Sequence, residues 1–149
     1  MSTSSRERAE LADLLGRLGP EAPTCCAGWT TAHLAAHLVV RDRRPDSLPG
    51  YGLELAGLSG PLPAWSHRLE DELRTSTPYE EVVDRFRTGA PAWSPLGWPG
   101  PLQRFTASEF LIHHEDVRRA QPDRVPRALR SRRRTTPGAR RRSSAGWSR

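Results

Sequence analysis

The feature that most constrains this chain is a run of ionisable residues along one face of its last predicted helix, about residues 102–120. The inward positions of that helix, at the spacings i, i+4, i+7, i+8 and i+11, are Phe105, Glu109, Ile112, His113 and Asp116. Three of these five are ionisable, whereas leucine would be buried at lower cost. We therefore expect this face to form a site, because a local packing rule is broken there.

Glu109 and His113 are four residues apart and stand one above the other on that face. Ionised carboxylate and neutral imidazole are both ligands for a divalent cation such as zinc. The same spacing also occurs by chance, usually as a weakly interacting surface pair. A metal site therefore requires a third ligand from another helix.

His37 is the best candidate for that ligand, in a helix predicted from Thr30 or Thr31 to about Arg43. The predicted buried stripe of this helix contains Leu34, Ala35, His37, Leu38 and Arg41. A histidine in an apolar stripe is costly to bury unless its nitrogens have partners. A satisfied core histidine and a metal ligand both meet this condition, so the sequence leaves both interpretations open.

The other histidines are weaker candidates. His33 and His37 form a rival i, i+4 pair, but His33 lies in the first helical turn, where side chains usually face water. His114 follows His113 by one residue and points about 100° away along the helix, so it is expected at the rim or surface. His67 has no evident partner and is expected to be exposed.

Helical periodicity predicts an all-α fold. Besides the two helices above, we expect helices over about residues 5–18 and 64–74, and a short one after Thr77-Pro78. Residues 45–60 and 89–101 are rich in glycine and proline and are predicted to be surface loops that line or cover a site.

Charge divides the chain into two parts. Residues 1–121 contain 13 Arg against 16 Asp and Glu, a net charge of −3, whereas residues 122–149 contain 10 Arg and one Asp, a net charge of +9. The second part has no hydrophobic periodicity, so 122–149 is predicted to be a disordered basic tail. Its composition is typical of GC-rich DNA read in another frame, which indicates a truncated or frame-altered gene product.

The remaining bulk features point to an intracellular chain. No apolar run approaches the roughly 20 residues needed to cross a bilayer, and the N-terminus lacks a secretory signal, so a cytoplasmic location is expected. Cys25 and Cys26 are adjacent, and because a vicinal disulfide is strained we expect two free thiols.

Three motifs together resemble the DinB-like metal-binding proteins, in particular the metal-binding domain of mycothiol-dependent maleylpyruvate isomerase. They are Cys26-Ala27-Gly28-Trp29-Thr30, then Leu34-Ala35-Ala36-His37-Leu38, and finally the stretch from Glu109 to Ala120. The resemblance implies an antiparallel four-helix bundle over residues 1–121. It also implies a divalent metal, usually zinc, held by His37, Glu109 and His113.

The same resemblance implies mycothiol as a thiol cofactor and an electrophilic small-molecule substrate. On this hypothesis Arg41 and Arg118 bind a carboxylate, and Asp116 orients a ligand histidine; both arginines also fit a role as surface charges. The chain departs from the family at His33, where an acidic residue that pairs with the helix cap is expected. It also departs after the last helix, where relatives continue into a further ordered segment.

Three functions follow. The first is a metal- and thiol-dependent isomerase or S-transferase. The second is a non-catalytic, metal-stabilised binding module. The third gives the basic tail a role in binding nucleic acid or an acidic partner, with strongly salt-dependent affinity; the net negative charge of the body and its lack of a nucleic-acid motif argue against this role.

Overall fold

The computed structural model describes residues 3–98 and 100–122. Within these residues the chain is all-α, as predicted. Its helices are α1 (Thr3–Leu18), α2 (Thr31–Arg43), α3 (Leu48–Leu55), α4 (Pro61–Ser76), α5 (Tyr79–Thr88) and α6 (Pro101–Ala120). Two short 3₁₀ turns, Pro45–Ser47 and Pro95–Gly97, precede α3 and α6. The predicted basic tail lies outside the described residues except for Pro122.

The core lies where α1, α2, α5 and α6 meet. α1 packs against α5 and α6, while α2 packs against α4 and α5. The buried apolar cluster comprises Leu11, Ala12, Leu15, Leu34, Ala35, Leu38, Val39, Val82, Val83, Phe86, Phe110 and Val117. At its centre the rings of Phe86 and Phe110 meet edge to face, with centroids 5.4 Å apart. This core holds α2 and α6 in place, and these two helices carry the predicted metal ligands.

The prediction of a surface loop over residues 45–60 is wrong, because α3 lies within it. Gly50 explains the error: a Cβ atom at this position would lie 2.5 Å from the backbone oxygen of Leu62. The glycine therefore permits a close approach of α3 to α4 rather than breaking a helix. The loop predicted over residues 89–101 is confirmed for its described part, apart from the short 3₁₀ turn.

The start of α2 is fixed by a reciprocal cap. The Thr30 side chain accepts a hydrogen bond from the backbone N–H of Ala32, and His33 Nδ1 accepts one from the backbone N–H of Thr30, at 3.2 Å. His33 is half-buried and takes the capping role for which an acidic residue was expected. The prediction that His33 simply faces water is therefore wrong.

None of the helices in the described ranges is long and apolar enough to cross a membrane.

Candidate metal centre

A cavity of about 620 Å³ opens between α2, α3 and α6. Its apolar walls include Trp29, Leu48, Leu55, Leu96 and Ile112, of which Leu55 and Ile112 are also exposed to solvent. The polar residues that line it include His37, Arg41, Tyr51, Glu109 and His113. The ionisable face predicted on the last helix therefore borders a cavity.

His37 is held on two sides by aromatic rings. Its ring centroid lies 5.3 Å from that of Trp29 and 4.8 Å from that of Tyr51. Its Nδ1 atom makes a hydrogen bond of 2.8 Å with Glu70 Oε1, and its Nε2 atom lies 3.9 Å from Glu109 Oε1. One nitrogen is thus fixed by a carboxylate while the other faces the predicted ligand on α6.

The three predicted ligands lie together. His37, Glu109 and His113 each offer one ligand atom, and these atoms all lie within 4.8 Å of one another. Metal–ligand bonds of about 2.0–2.1 Å at tetrahedral angles place ligand atoms about 3.3–3.4 Å apart. The separation of 3.9 Å between His37 and Glu109 therefore has to contract by roughly half an ångström, which side-chain rotation can supply. The residues fit a divalent ion.

His113 is suited to ligation because it is neutral. Burial, followed by the positive charges of His37 and Arg41, lowers the pKa of His113 to about 4. Its Nδ1 atom is buried and makes no hydrogen bond within the described residues, although Asp116 Oδ2 lies 3.5 Å away. A neutral imidazole carries a lone pair on one of its two ring nitrogens, and this lone pair is what a metal ion requires.

Glu70 of α4 lies in the candidate site although no sequence pattern indicated it. It is only 8% exposed, and it accepts hydrogen bonds from Tyr51 at 2.6 Å and from His37. Burial opposes ionisation of Glu70, but its hydrogen bonds with His37, Tyr51 and His67 outweigh burial and lower its pKa. An ionised carboxylate on Nδ1 fixes the tautomer of His37 with Nε2 free for a metal.

The hydrophobic spacing of α4 indicates only ambiguously that Glu70 is buried. Trp65, Leu69 and Leu73 recur at four-residue spacing in α4, which predicts an inward face, yet Trp65 is 38% exposed. The buried positions are Pro63, Ser66, Leu69 and Glu70. A glutamate beside leucine on an amphipathic helix is usually a solvated neighbour, so only the contact with His37 distinguishes it.

Arg41 is buried, with 4% of its surface exposed, and its Nη1 atom lies against Glu109 Oε2. Burial lowers the pKa of Arg41 to about 10, so the group remains charged at neutral pH. Its Nε and Nη2 atoms have no hydrogen-bond partner among the described residues. Arg41 is therefore not a surface charge: it borders the cavity, and it shares Glu109 with any metal ion that binds.

Arg118 lies elsewhere. Its Nη1 atom pairs with Glu115 Oε1 at 2.5 Å, one turn away on α6, and Arg118 is not among the residues that line the cavity. Of the two arginines predicted to bind a carboxylate, the structure places only Arg41 beside the metal ligands.

Two of the remaining histidines also differ from expectation. His114 was expected at the rim, but it is only 8% exposed, and its Nδ1 atom lies 3.6 Å from Glu7 Oε2 of α1. His67 is partly exposed but does have partners, Glu54 and Glu70, each at 3.2 Å. The buried stripe of α6 follows Thr106, Phe110, His114 and Val117, and the stripe that borders the cavity lies beside it.

No family model, curated protein or solved structure matches this chain.

Proposed function

We propose that this protein binds a divalent metal ion, with zinc the expected ion, through His37, Glu109 and His113. The observation that carries the proposal is the convergence of these side chains from α2 and α6 on one wall of a cavity. Residues 1–121 would then form a DinB-like domain, whose core lies between α1, α2, α5 and α6. The proposal includes an antiparallel four-helix bundle, as the resemblance to the metal-binding domain of mycothiol-dependent maleylpyruvate isomerase implies.

We further propose that the bound ion serves thiol chemistry. A divalent ion with three protein ligands has an open coordination position, and it lowers the pKa of a thiol or water bound there. Glu70 holds His37 in position, and the rings of Trp29 and Tyr51 restrict its rotation. The apolar walls exclude water from a bound electrophile, while the cavity is large enough for both a thiol cofactor such as mycothiol and a small substrate.

Arg41 gives the site a cation of its own. Arg41 Nη1 lies against Glu109 Oε2, whereas Glu109 Oε1 is the oxygen that faces His37. The Nε and Nη2 atoms of Arg41 have no hydrogen-bond partner among the described residues, so they can bind a carboxylate group of the substrate. The proposed activity is therefore isomerisation or S-transfer on a small electrophile that carries an acidic group.

The test is thiol-dependent turnover by the purified, zinc-loaded protein, with mycothiol and electrophilic unsaturated keto acids as substrates. We expect turnover in the wild type and in the His33→Ala variant, since His33 only caps α2. We expect its loss in His113→Ala. A wild type that binds zinc tightly but shows no thiol-dependent turnover with any of these substrates would contradict the enzymatic part of the proposal.

One observation favours a second function, a non-catalytic metal-stabilised module. Glu109 already pairs with Arg41 and His37 with Glu70, so two of the three ligands have protein partners without a metal. These hydrogen bonds and ion pairs can stabilise the fold without any part in catalysis. In that case zinc raises the melting temperature while no substrate is consumed. The third function, which rests on the basic tail, concerns residues outside the described ranges.

A further inference from the structure

A second group of ligand-type side chains lies on the other side of His113. Cys26, His113 and Asp116 each offer one atom, and these atoms lie within 4.8 Å of one another. We propose that these three residues form a second metal position, selective for thiophilic divalent ions such as Cd²⁺, which shares His113 with the first position. This second position depends on the proposed function only because His113 belongs to both ligand sets.

The distances fit a tetrahedral ion. Bonds of about 2.3 Å to sulfur and about 2.0–2.2 Å to nitrogen and oxygen place sulfur and oxygen about 3.6 Å apart, and nitrogen and oxygen about 3.4 Å apart. The observed separations are 3.7 Å between Cys26 Sγ and Asp116 Oδ2 and 3.5 Å between His113 Nδ1 and Asp116 Oδ2. Both separations lie within about 0.1 Å of these values, whereas the 3.9 Å between His37 Nε2 and Glu109 Oε1 at the first position exceeds its ideal value by roughly half an ångström.

The buried nitrogen of His113 points to a cation. His113 Nδ1 makes no hydrogen bond within the described residues, although a carboxylate oxygen lies 3.5 Å away. An unsatisfied buried nitrogen is costly, and a metal ion between it and Asp116 would satisfy both groups. Cys26 lines the 620 Å³ cavity, which gives an ion a route of entry.

Charge also favours the second position. A Cys26 thiolate and the Asp116 carboxylate neutralise a divalent ion, and the thiol proton is released to solvent on binding. At the first position Glu109 is the only anionic ligand, and it is shared with the buried Arg41. A soft ion therefore gains both a sulfur ligand and a better charge balance beside Cys26.

The two positions cannot be filled together without further deprotonation of His113. A neutral imidazole has a hydrogen on one nitrogen and a lone pair on the other, so it serves one metal ion at a time. His113 would bind through Nδ1 to the ion beside Cys26, or through Nε2 to the ion beside His37. We therefore expect one metal ion per chain, with the ligand set chosen by the softness of the ion.

The experiment is a Cd²⁺ titration of the full chain followed by absorption spectroscopy, because a cadmium–thiolate bond produces a charge-transfer band in the ultraviolet. We expect this band in the wild type, in His37→Ala and in the matched control Cys25→Ser, whose thiol is exposed. We expect its loss in Cys26→Ser. Competition between ions adds a second readout: Cys26→Ser should lower the affinity for Cd²⁺ at least tenfold more than the affinity for Zn²⁺.

Each result decides the inference. A band that is absent from the wild type, or that persists in Cys26→Ser, would overturn the proposal. Two cadmium ions per chain would also overturn it, because the two positions would then be filled together. The proposed function fails separately, if Cys26→Ser binds no zinc at all. Loss of the band in Cys26→Ser with zinc binding retained supports both.

Discussion

Two neighbouring residues of α2 form two buried ion pairs that differ in kind. Asp42, 1% exposed, pairs with Arg8 of α1, and this arginine also donates to the backbone oxygen of Phe86 at 2.9 Å. The Arg8 guanidinium lies within 5 Å of the ring centroids of both Phe86 and Phe110. This first pair is therefore enclosed by the core.

The second pair, Arg41 with Glu109, faces the cavity instead. Two nitrogens of Arg41 lack hydrogen-bond partners among the described residues, and Glu109 is also a candidate metal ligand. Buried charges therefore serve two different purposes in this protein. The enclosed pair fixes α1 against α2, whereas the carboxylate of the pair at the cavity can serve both Arg41 and a metal ion.

The largest expected effect comes from breaking the enclosed pair. Asp42→Ala should lower the free energy of unfolding by about 3–5 kcal/mol, because it leaves the Arg8 charge buried and unpaired. Urea denaturation measures the loss. The matched control is Asp13→Ala, which breaks the exposed Arg87–Asp13 pair and should cost less than about 1 kcal/mol. Equal losses in the two variants would show that the core does not enclose Arg8.

The next largest effect is on zinc affinity, and it comes from weakening the hydrogen bond between Glu70 and His37. Glu70→Gln should lower the affinity for zinc about 10–100-fold, because the amide holds the Nδ1–H of His37 less strongly than the carboxylate does. Isothermal titration calorimetry in the Cys26→Ser background measures the first position alone. Glu72→Gln, an exposed change on the same helix, should leave the affinity unchanged. An unchanged affinity in Glu70→Gln would remove Glu70 from the site.

Substitution of Arg41 should raise the affinity for zinc rather than lower it. In the same background, Arg41→Met should raise the affinity for zinc about tenfold, since it removes a competing cation from Glu109 and a like charge from the neighbourhood of the ion. Arg43→Met is the matched control, because Arg43 donates to the backbone oxygens of Arg85 and Gly89, away from the ligands. A lower affinity in Arg41→Met would mean that the arginine supports the metal site instead.

The smallest expected effect on the free energy of unfolding comes from the surface ion pair between Arg44 and Asp46, which is lost in acid. The hydrogen bond from Arg44, aided by one from Trp65, lowers the pKa of Asp46 to about 2, against 3.8 for the free side chain. Because the folded pKa is the lower one, the contribution is present above about pH 4 and is lost as the pH falls towards 2. The side chain is 46% exposed, so Asp46→Asn should cost less than about 1 kcal/mol at pH 6.

Denaturation of wild type and Asp46→Asn at pH 6 and pH 2 checks this sign. The difference between the two proteins should shrink at the lower pH. Asp84→Asn is the control at pH 6, because Asp84 is more exposed and lies 4.0 Å from Arg87, and it should cost less than Asp46→Asn. A difference that grows in acid would contradict the assignment of the shift to Arg44.

The helix ends could be predicted from the sequence because local signals determine them. Gly19-Pro20 ends α1, Thr30 caps α2, and Thr77-Pro78 precedes α5, so the predicted bounds lie close to the observed ones. α3 could not be predicted, because Pro49, Gly50 and Gly52 are typical of a loop. Only the packing of Gly50 against α4 explains why a helix forms there.

The candidate site was predictable to the extent that it depends on helical spacing. Glu109 and His113 share a face because of the α-helical period, and His37 was indicated by its place in an apolar stripe. Arg41 was likewise indicated by its place in that stripe, and it is buried. The positions of Glu70 and Tyr51 depend on how α3 and α4 pack, which no local pattern reports. The same limit explains His114, whose burial depends on the approach of α1.

The most direct test of the account is zinc analysis of the purified Cys26→Ser protein beside the same variant carrying His37→Ala or Glu109→Ala, with His33→Ala as the control. We predict one zinc per chain in Cys26→Ser and with His33→Ala, and loss of zinc with either of the other two substitutions. Zinc content that is unaffected by both His37→Ala and Glu109→Ala would contradict the claim that these side chains form a metal centre.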